Sequence, residues 1–239
     1  MYDYFIYLIL LFLKIIWRCI VLDKKEKKKI LDAIFVPLLL LLVMWGIKIF
    51  EWVFHYHLGY LGVHPLQADG LAGIIIYPFI HGSFKHLMAN TVPFFILGTA
   101  LFYFYREIAV KVLVSVWILS GVWVWFGARG DSYHIGASGI IYGLSSFLFV
   151  SGLIRKNTHL AALSLIVAFL YGGLIWGIFP EFFPKENISW EGHLGGLVSG
   201  VVFAFYYKDQ GPQQKKYSWD FEDDDDDDDD DAYWKKTVD

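Results

Sequence analysis

Cysteine occurs once in the 239 residues, at Cys19, so the chain can form no internal disulfide and no multi-cysteine metal centre. The ten-residue alternation of apolar and polar positions that marks a transmembrane β-barrel is also missing. The apolar segment Met1–Leu22 lacks a basic start and a small-residue cleavage site, and Lys14 and Arg18 interrupt it, which argues against a cleaved leader. It reads as an interfacial or accessory helix, the alternatives being an extra span or a non-functional extension from an upstream start codon. Positive charge on a scale that would hold nucleic acid is absent too. The formal net charge is −4, and it is set by Glu222 and the nine aspartates Asp223–Asp231. Such a run repels itself and buries nothing, so it reads as a disordered, solvated tail. Without it the body is mildly basic.

What the chain has in abundance is apolar surface. It is 56% hydrophobic and 19% aromatic, with a mean hydropathy of +0.47. A helix needs roughly 20 mostly apolar residues to cross about 30 Å of hydrocarbon, and several runs of that kind are present. Six spans are expected: Ile34–Phe54, Leu87–Tyr105, Val110–Gly127, Ile135–Leu153, Leu160–Phe179 and Leu194–Tyr207. The long connection His55–Lys85 carries clusters such as Ile74-Ile75-Ile76-Tyr77-Pro78-Phe79 and is expected to be an interfacial, partly embedded loop. Lysine and arginine set the orientation. Lys24, Lys25, Lys27, Lys28 and Lys29 precede span one. Arg106 and Lys111 join spans two and three, Arg155 and Lys156 join spans four and five, and Lys208, Lys215 and Lys216 follow span six. With six alternating helices all of these fall on the cytoplasmic side, together with both ends of the six-helix unit.

This topology puts three groups of polar residues at the outer ends of even-numbered spans. They are His81, His86 and Asn90 at span two, His134 and Ser138 at span four, and His193 at span six. Ionisable groups inside a membrane are costly and usually face the bundle interior, which makes them functional candidates. Small residues supply close packing: Gly139 and Gly143 on span four, and Gly192, Gly196 and Gly200 on span six, each pair four apart on one helix face. Each face lies beside its polar residue. Close approach of the two helices is what a serine–histidine hydrogen bond of about 2.6–3.2 Å requires, and serine alone is a poor nucleophile.

Three motifs resemble those of the rhomboid intramembrane serine proteases. Gly136-Ala137-Ser138-Gly139 is similar to the family's GxSG nucleophile motif. His81-Gly-Ser-Phe-Lys-His86-Leu-Met-Ala-Asn90 is similar to its HxxxxHxxxN helix, and Gly192-His193-Leu-Gly-Gly196-Leu-Val-Ser-Gly200 to its GHxxGxxxG helix. The resemblance covers roughly Ala33 to Tyr207. It implies an all-α, six-transmembrane-helix bundle at residues 33–207, preceded by an apolar and basic segment at 1–32 and followed by an acidic cytoplasmic tail at 208–239. It implies a serine endopeptidase that cleaves transmembrane protein substrates in the bilayer without a cofactor. Ser138 would be the nucleophile and His193 the general base. His86, Asn90 and the Ser138 backbone N–H would form the oxyanion hole. Tyr142 would orient the histidine, and His81, Gly136 and Gly139 would support the site. The compact form fits a bacterial plasma membrane. The sequence departs from the family in one place, having no Trp-Arg pair between His55 and Lys85.

No acid is placed to complete a triad. Glu191 is two residues before His193 and projects away from it on a helix, while Asp131 and Asp69 lie in loops. His134 competes as base, four residues before Ser138 on the same face, and is expected one turn higher, near water. A metal or cofactor site built from His81, His86, His134 and His193 is a second reading, disfavoured by the absence of His-Glu-x-x-His and of a carboxylate ligand. A catalytically silent binding scaffold is the third.

Overall fold

The computed structural model describes residues 23–130, 132–156, 161–162, 165–166 and 189–213. Met1–Leu22, Asp131, the acidic run and, apart from four helical residues, the expected fifth span lie outside these. Among the described residues the protein is helical, in the order α1 (Lys24–Phe54), α2 (Gly73–Ile76), α3 (Phe84–Phe104), α4 (Ala109–Gly127), α5 (Ser138–Ile154) and α6 (Trp190–Tyr206). Helices α1, α3 and α4 are each long and apolar enough to cross a membrane. They correspond to spans one, two and three, and α5 and α6 to spans four and six.

The boundaries differ from the expected ones where local chemistry intervenes. Helix α1 starts ten residues before Ile34, because Lys24–Lys29 contains only good helix formers and no glycine or proline. Along it Leu31, Phe35, Leu38, Leu39 and Leu42 stay exposed, the apolar face a bilayer would cover. Pro37 sits inside α1, and the close approach to α3 falls there. A methyl group added at Gly98 would lie 2.9 Å from the Pro37 ring. Helix α3 begins at Phe84 because Ser83, in extended conformation, accepts a hydrogen bond from the His86 backbone N–H at 3.1 Å.

The connection 55–83 is built rather than loose. It folds through short 3-10 turns and α2, and lies against α4. Trp117 Nε1 donates to the Ile74 carbonyl at 3.2 Å and Trp125 Nε1 to that of Gln67 at 3.0 Å, while Tyr77 Oη donates to the Trp117 carbonyl at 3.2 Å. Its first residues are tied to α1 by Glu51. That side chain is 6% exposed, accepts the Leu58 N–H at 2.7 Å and pairs with Lys48 at 3.2 Å.

Helices α5 and α6 make the most extensive contact among the described elements, and it runs along the glycine faces. A methyl group at Gly143 would stand 3.0 Å from the Gly196 carbonyl oxygen, and one at Gly139 3.2 Å from that of Gly192. At Gly196 and Gly200 a methyl group would collide with the carbonyls of Gly139 and Gly143. Backbone touches backbone here, which only glycine allows.

Candidate active site

Gly136 turns the chain into α5. Its φ is +107°, a region that residues with a Cβ rarely adopt, and a Cβ there would meet the His86 ring at 2.7 Å. The Gly136 N–H donates to the Tyr77 carbonyl at 2.9 Å, so the connection 55–83 fixes where α5 begins. Ser138 is the first residue of α5. It therefore presents its side chain, and a backbone N–H with no intrahelical acceptor, at the helix entrance. Helix α6 begins at Trp190, four residues before the expected Leu194, which puts His193 one turn inside it. His193 Nε2 and Ser138 Oγ are 2.9 Å apart. The Tyr142 ring, one turn beyond Ser138, stacks on the His193 ring with centroids 4.4 Å apart and planes 14° from parallel. Ser138 and His193 are both only half-buried.

His86 and Asn90 lie one turn apart on α3 and both face the Gly136 backbone, with Asn90 Nδ2 3.6 Å from the position of a Gly136 Cβ. Asn90 is buried, and its Nδ2 has no hydrogen-bond partner among the described residues. A desolvated donor without an acceptor costs about 1–3 kcal/mol, so this unpaired nitrogen beside Gly136 is a feature that packing alone does not favour. His81 precedes α3, is 1% exposed and packs edge-on to His86 with ring centroids 5.0 Å apart. It accepts the Ala137 N–H at 3.5 Å. Burial, and then the nearby His86, push its pKa down to about 3, so it is neutral. Gly139 carries no side chain toward α6 and lies beside Ser120 and Gly192.

His134 differs from the sequence expectation. It is not on α5, which starts four residues later, and it is not near water, being 6% exposed. Its backbone pairs with Val63 in both directions (2.9 and 2.8 Å), and its ring meets Ser189 Oγ at 2.6 Å. Glu191 is engaged by Arg129 in the α4–α5 connection. It is 3% exposed and accepts from Arg129 Nε at 2.7 Å. Asp69 lies between His64 (3.1 Å) and Tyr133 (3.1 Å), and the hydrogen bond from His64 holds its carboxyl below the ordinary value of 3.8. The four histidines of the metal reading thus fall into separate settings: His81 beside His86, His134 on Ser189, and His193 on Ser138. Among the described residues no group of three His, Cys, Asp or Glu side chains is disposed to hold a metal ion. Ser189 and Arg129 were not singled out in the sequence. The available signal was that Ser189 precedes His193 by the same four residues by which His134 precedes Ser138.

Relatives carry the same region. A protein of Mycobacterium bovis described as uncharacterized is 39% identical over 149 residues, 60% of this chain and 62% of that protein. The chain therefore spans less than two thirds of the length of that relative. A protein of Acanthamoeba polyphaga mimivirus whose name places it with the rhomboids is 30% identical over 145 residues, 56% of this chain and 73% of that protein. A RHOMBOID-like protein of Arabidopsis thaliana is 27% identical over 135 residues, 53% of this chain and 40% of that protein. The model of the rhomboid domain matches residues 68–210, more than half of the chain and all of the site just described, and this integral membrane protein belongs to the rhomboid family.

Proposed function

We propose that the protein is an intramembrane serine endopeptidase whose catalytic unit is residues 33–207, working in a bacterial plasma membrane with both ends of that unit in the cytoplasm. The observation that carries this reading is the 2.9 Å contact between Ser138 Oγ and His193 Nε2, with Tyr142 stacked on the imidazole. His193 takes the Ser138 proton at Nε2 as Oγ attacks a peptide carbonyl. The oxyanion is met by Asn90 Nδ2, His86 and the Ser138 N–H. Collapse of the tetrahedral intermediate breaks the C–N bond, and His193 returns the proton to the leaving amine. Water, deprotonated by His193, then releases the acyl group from Ser138. Substrates of this reading are membrane proteins, single-pass ones above all, whose helix unwinds near its outer end to expose a backbone carbonyl.

The test is cleavage of a reporter transmembrane substrate in liposomes, together with fluorophosphonate labelling. Both should depend on Ser138 and His193. If Ser138→Ala and His193→Ala each leave cleavage intact, the reading is wrong.

A further inference from the structure

We infer that His134 and Ser189, braced by the Arg129–Glu191 ion pair, form a positioning latch that sets the axial register of α5 against α6 and so the Ser138–His193 distance. The inference rests on the reading of Ser138 and His193 as a catalytic dyad. The latch repeats the dyad with the residue types exchanged. His134 lies four residues before Ser138 and Ser189 four residues before His193, so the members of each pair are 55 residues apart.

The hydrogen bonds orient the His134 ring. His134 Nε2 lies 3.2 Å from the Arg129 carbonyl, which can only accept, so Nε2 carries the proton. In the neutral ring Nδ1 is then the acceptor of the Ser189 hydroxyl, 2.6 Å away. Ser189 stands at the N-cap of α6, where a serine hydroxyl ordinarily accepts from its own helix. Here it makes no such cap bond, and its hydroxyl instead meets His134 across the helix boundary, in the α4–α5 connection. The next tie has the same direction. Glu191, in the first turn of α6, is nearly inaccessible, and Arg129 of that same connection is the partner of its carboxylate at 2.7 Å. The carboxylate is buried while the guanidinium stays 60% exposed, so the pair reaches from the surface connection to the first turn of α6.

The two polar ties act at the end of the seam that bears the dyad, whereas Ser146 Oγ, which donates to the Leu197 carbonyl at 2.8 Å, ties the helices deeper along it. Van der Waals contact along Gly139, Gly143, Gly196 and Gly200 fixes how near the helices stand but resists sliding along their axes weakly, since small residues offer few knobs to interlock. Hydrogen bonds are directional and resist sliding. The dyad is sensitive to it, because its 2.9 Å contact is lost within a few tenths of an ångström. His134 is itself anchored by its backbone pair with Val63, so the register of α6 is referred through the latch to the connection 55–83. They act through the helices that bear the dyad.

The experiment uses the full chain in liposomes and follows the amplitude and the rate of fluorophosphonate labelling, kcat and KM on the reporter substrate, and thermal unfolding. Ser189→Ala and His134→Ala should label to full amplitude about tenfold or more slowly, since misplacement by 1 Å can cost about a hundredfold. Their kcat should fall in parallel at unchanged KM, and the double variant should be no worse than either single one. Ser189→Thr, which keeps the hydroxyl, and His134→Asn, which offers an oxygen near the Nδ1 position, should recover most of the rate. Wild-type labelling rates in the folded alanine variants overturn the inference and leave the protease reading standing. So does a loss confined to amplitude, which reports unfolding alone. Absence of Ser138-dependent labelling and cleavage in the wild type removes both.

Discussion

Asn90→Ala separates activity from stability in this molecule. In the resting protein the Asn90 amide nitrogen is buried beside Gly136 with no partner among the described residues. Such a donor costs about 1–3 kcal/mol, and in the proposed mechanism that cost is recovered when an oxygen arrives during the reaction. An interaction made in the transition state and not before lowers the barrier without tightening ground-state binding. Removing one oxyanion donor costs about 2.7–4 kcal/mol, or roughly 10²–10³ in kcat. The stability effect is the difference of two smaller quantities. Deleting the amide relieves the unpaired donor, and the small cavity left behind offsets that gain by a similar amount. The expected outcome is therefore a kcat reduced by about two to three orders of magnitude, a KM within a few-fold of wild type, and a nearly unchanged unfolding midpoint. Reporter cleavage in liposomes gives the kinetic constants, and thermal unfolding in the same lipid gives the midpoint. Unchanged kcat, or a large loss of stability with kcat falling only as folded protein is lost, would show that Asn90 is a packing residue and refute the reasoning.

Three further outcomes follow from the same structure. Tyr142 is 5% exposed and stacked on His193, so Tyr142→Phe should keep most of the activity, whereas Tyr142→Ala should lose stability by about 3 kcal/mol or more and slow labelling of Ser138, both read in one thermal and labelling series. Gly196→Ala places a methyl group on the Gly139 carbonyl, a backbone atom that cannot rotate away. A destabilisation of about 1–3 kcal/mol and a sharp drop in labelling rate are expected, and a wild-type rate would show that the seam can open without moving the dyad. The depressed pKa of Asp69 means that its tie to His64 contributes stability above the ordinary carboxylate value of 3.8 and loses it as pH falls through the lower folded midpoint. NMR titration should place the Asp69 midpoint below 3.8, and His64→Ala should raise it.

Much of the architecture could be read along the chain because it is local or periodic. Apolar runs of spanning length identify helices from transfer energetics alone, and α1, α3 and α4 coincide with three of them. Four-residue glycine spacing predicted that the faces of α5 and α6 meet, since i and i+4 share a face whatever the rest of the fold does. Helix starts were less legible. Lys24–Lys29 joined α1 because its helix propensity is high, and α5 waited until Ser138 because Gly136 takes a left-handed turn. The packing of the connection 55–83 on α4 depends on Trp117, Trp125 and Tyr77 finding carbonyls far away in sequence, and no periodicity announces that.

The sequence by itself determined that this is a helical membrane protein and brought a serine, several histidines and an asparagine to the ends of helices whose small residues allow close packing. It left two histidines within reach of Ser138. Only the tertiary structure decided between them. Helix α5 begins too late to carry His134, Ser189 engages that ring instead, and His193 of α6 is left facing Ser138 at 2.9 Å. Spacing fixes neighbours within a helix, but which groups meet across two helices depends on their register. That register depends on contacts between residues far apart in the chain, such as Gly139 with Gly196 and Ser138 with His193, which the order of residues along a chain does not express.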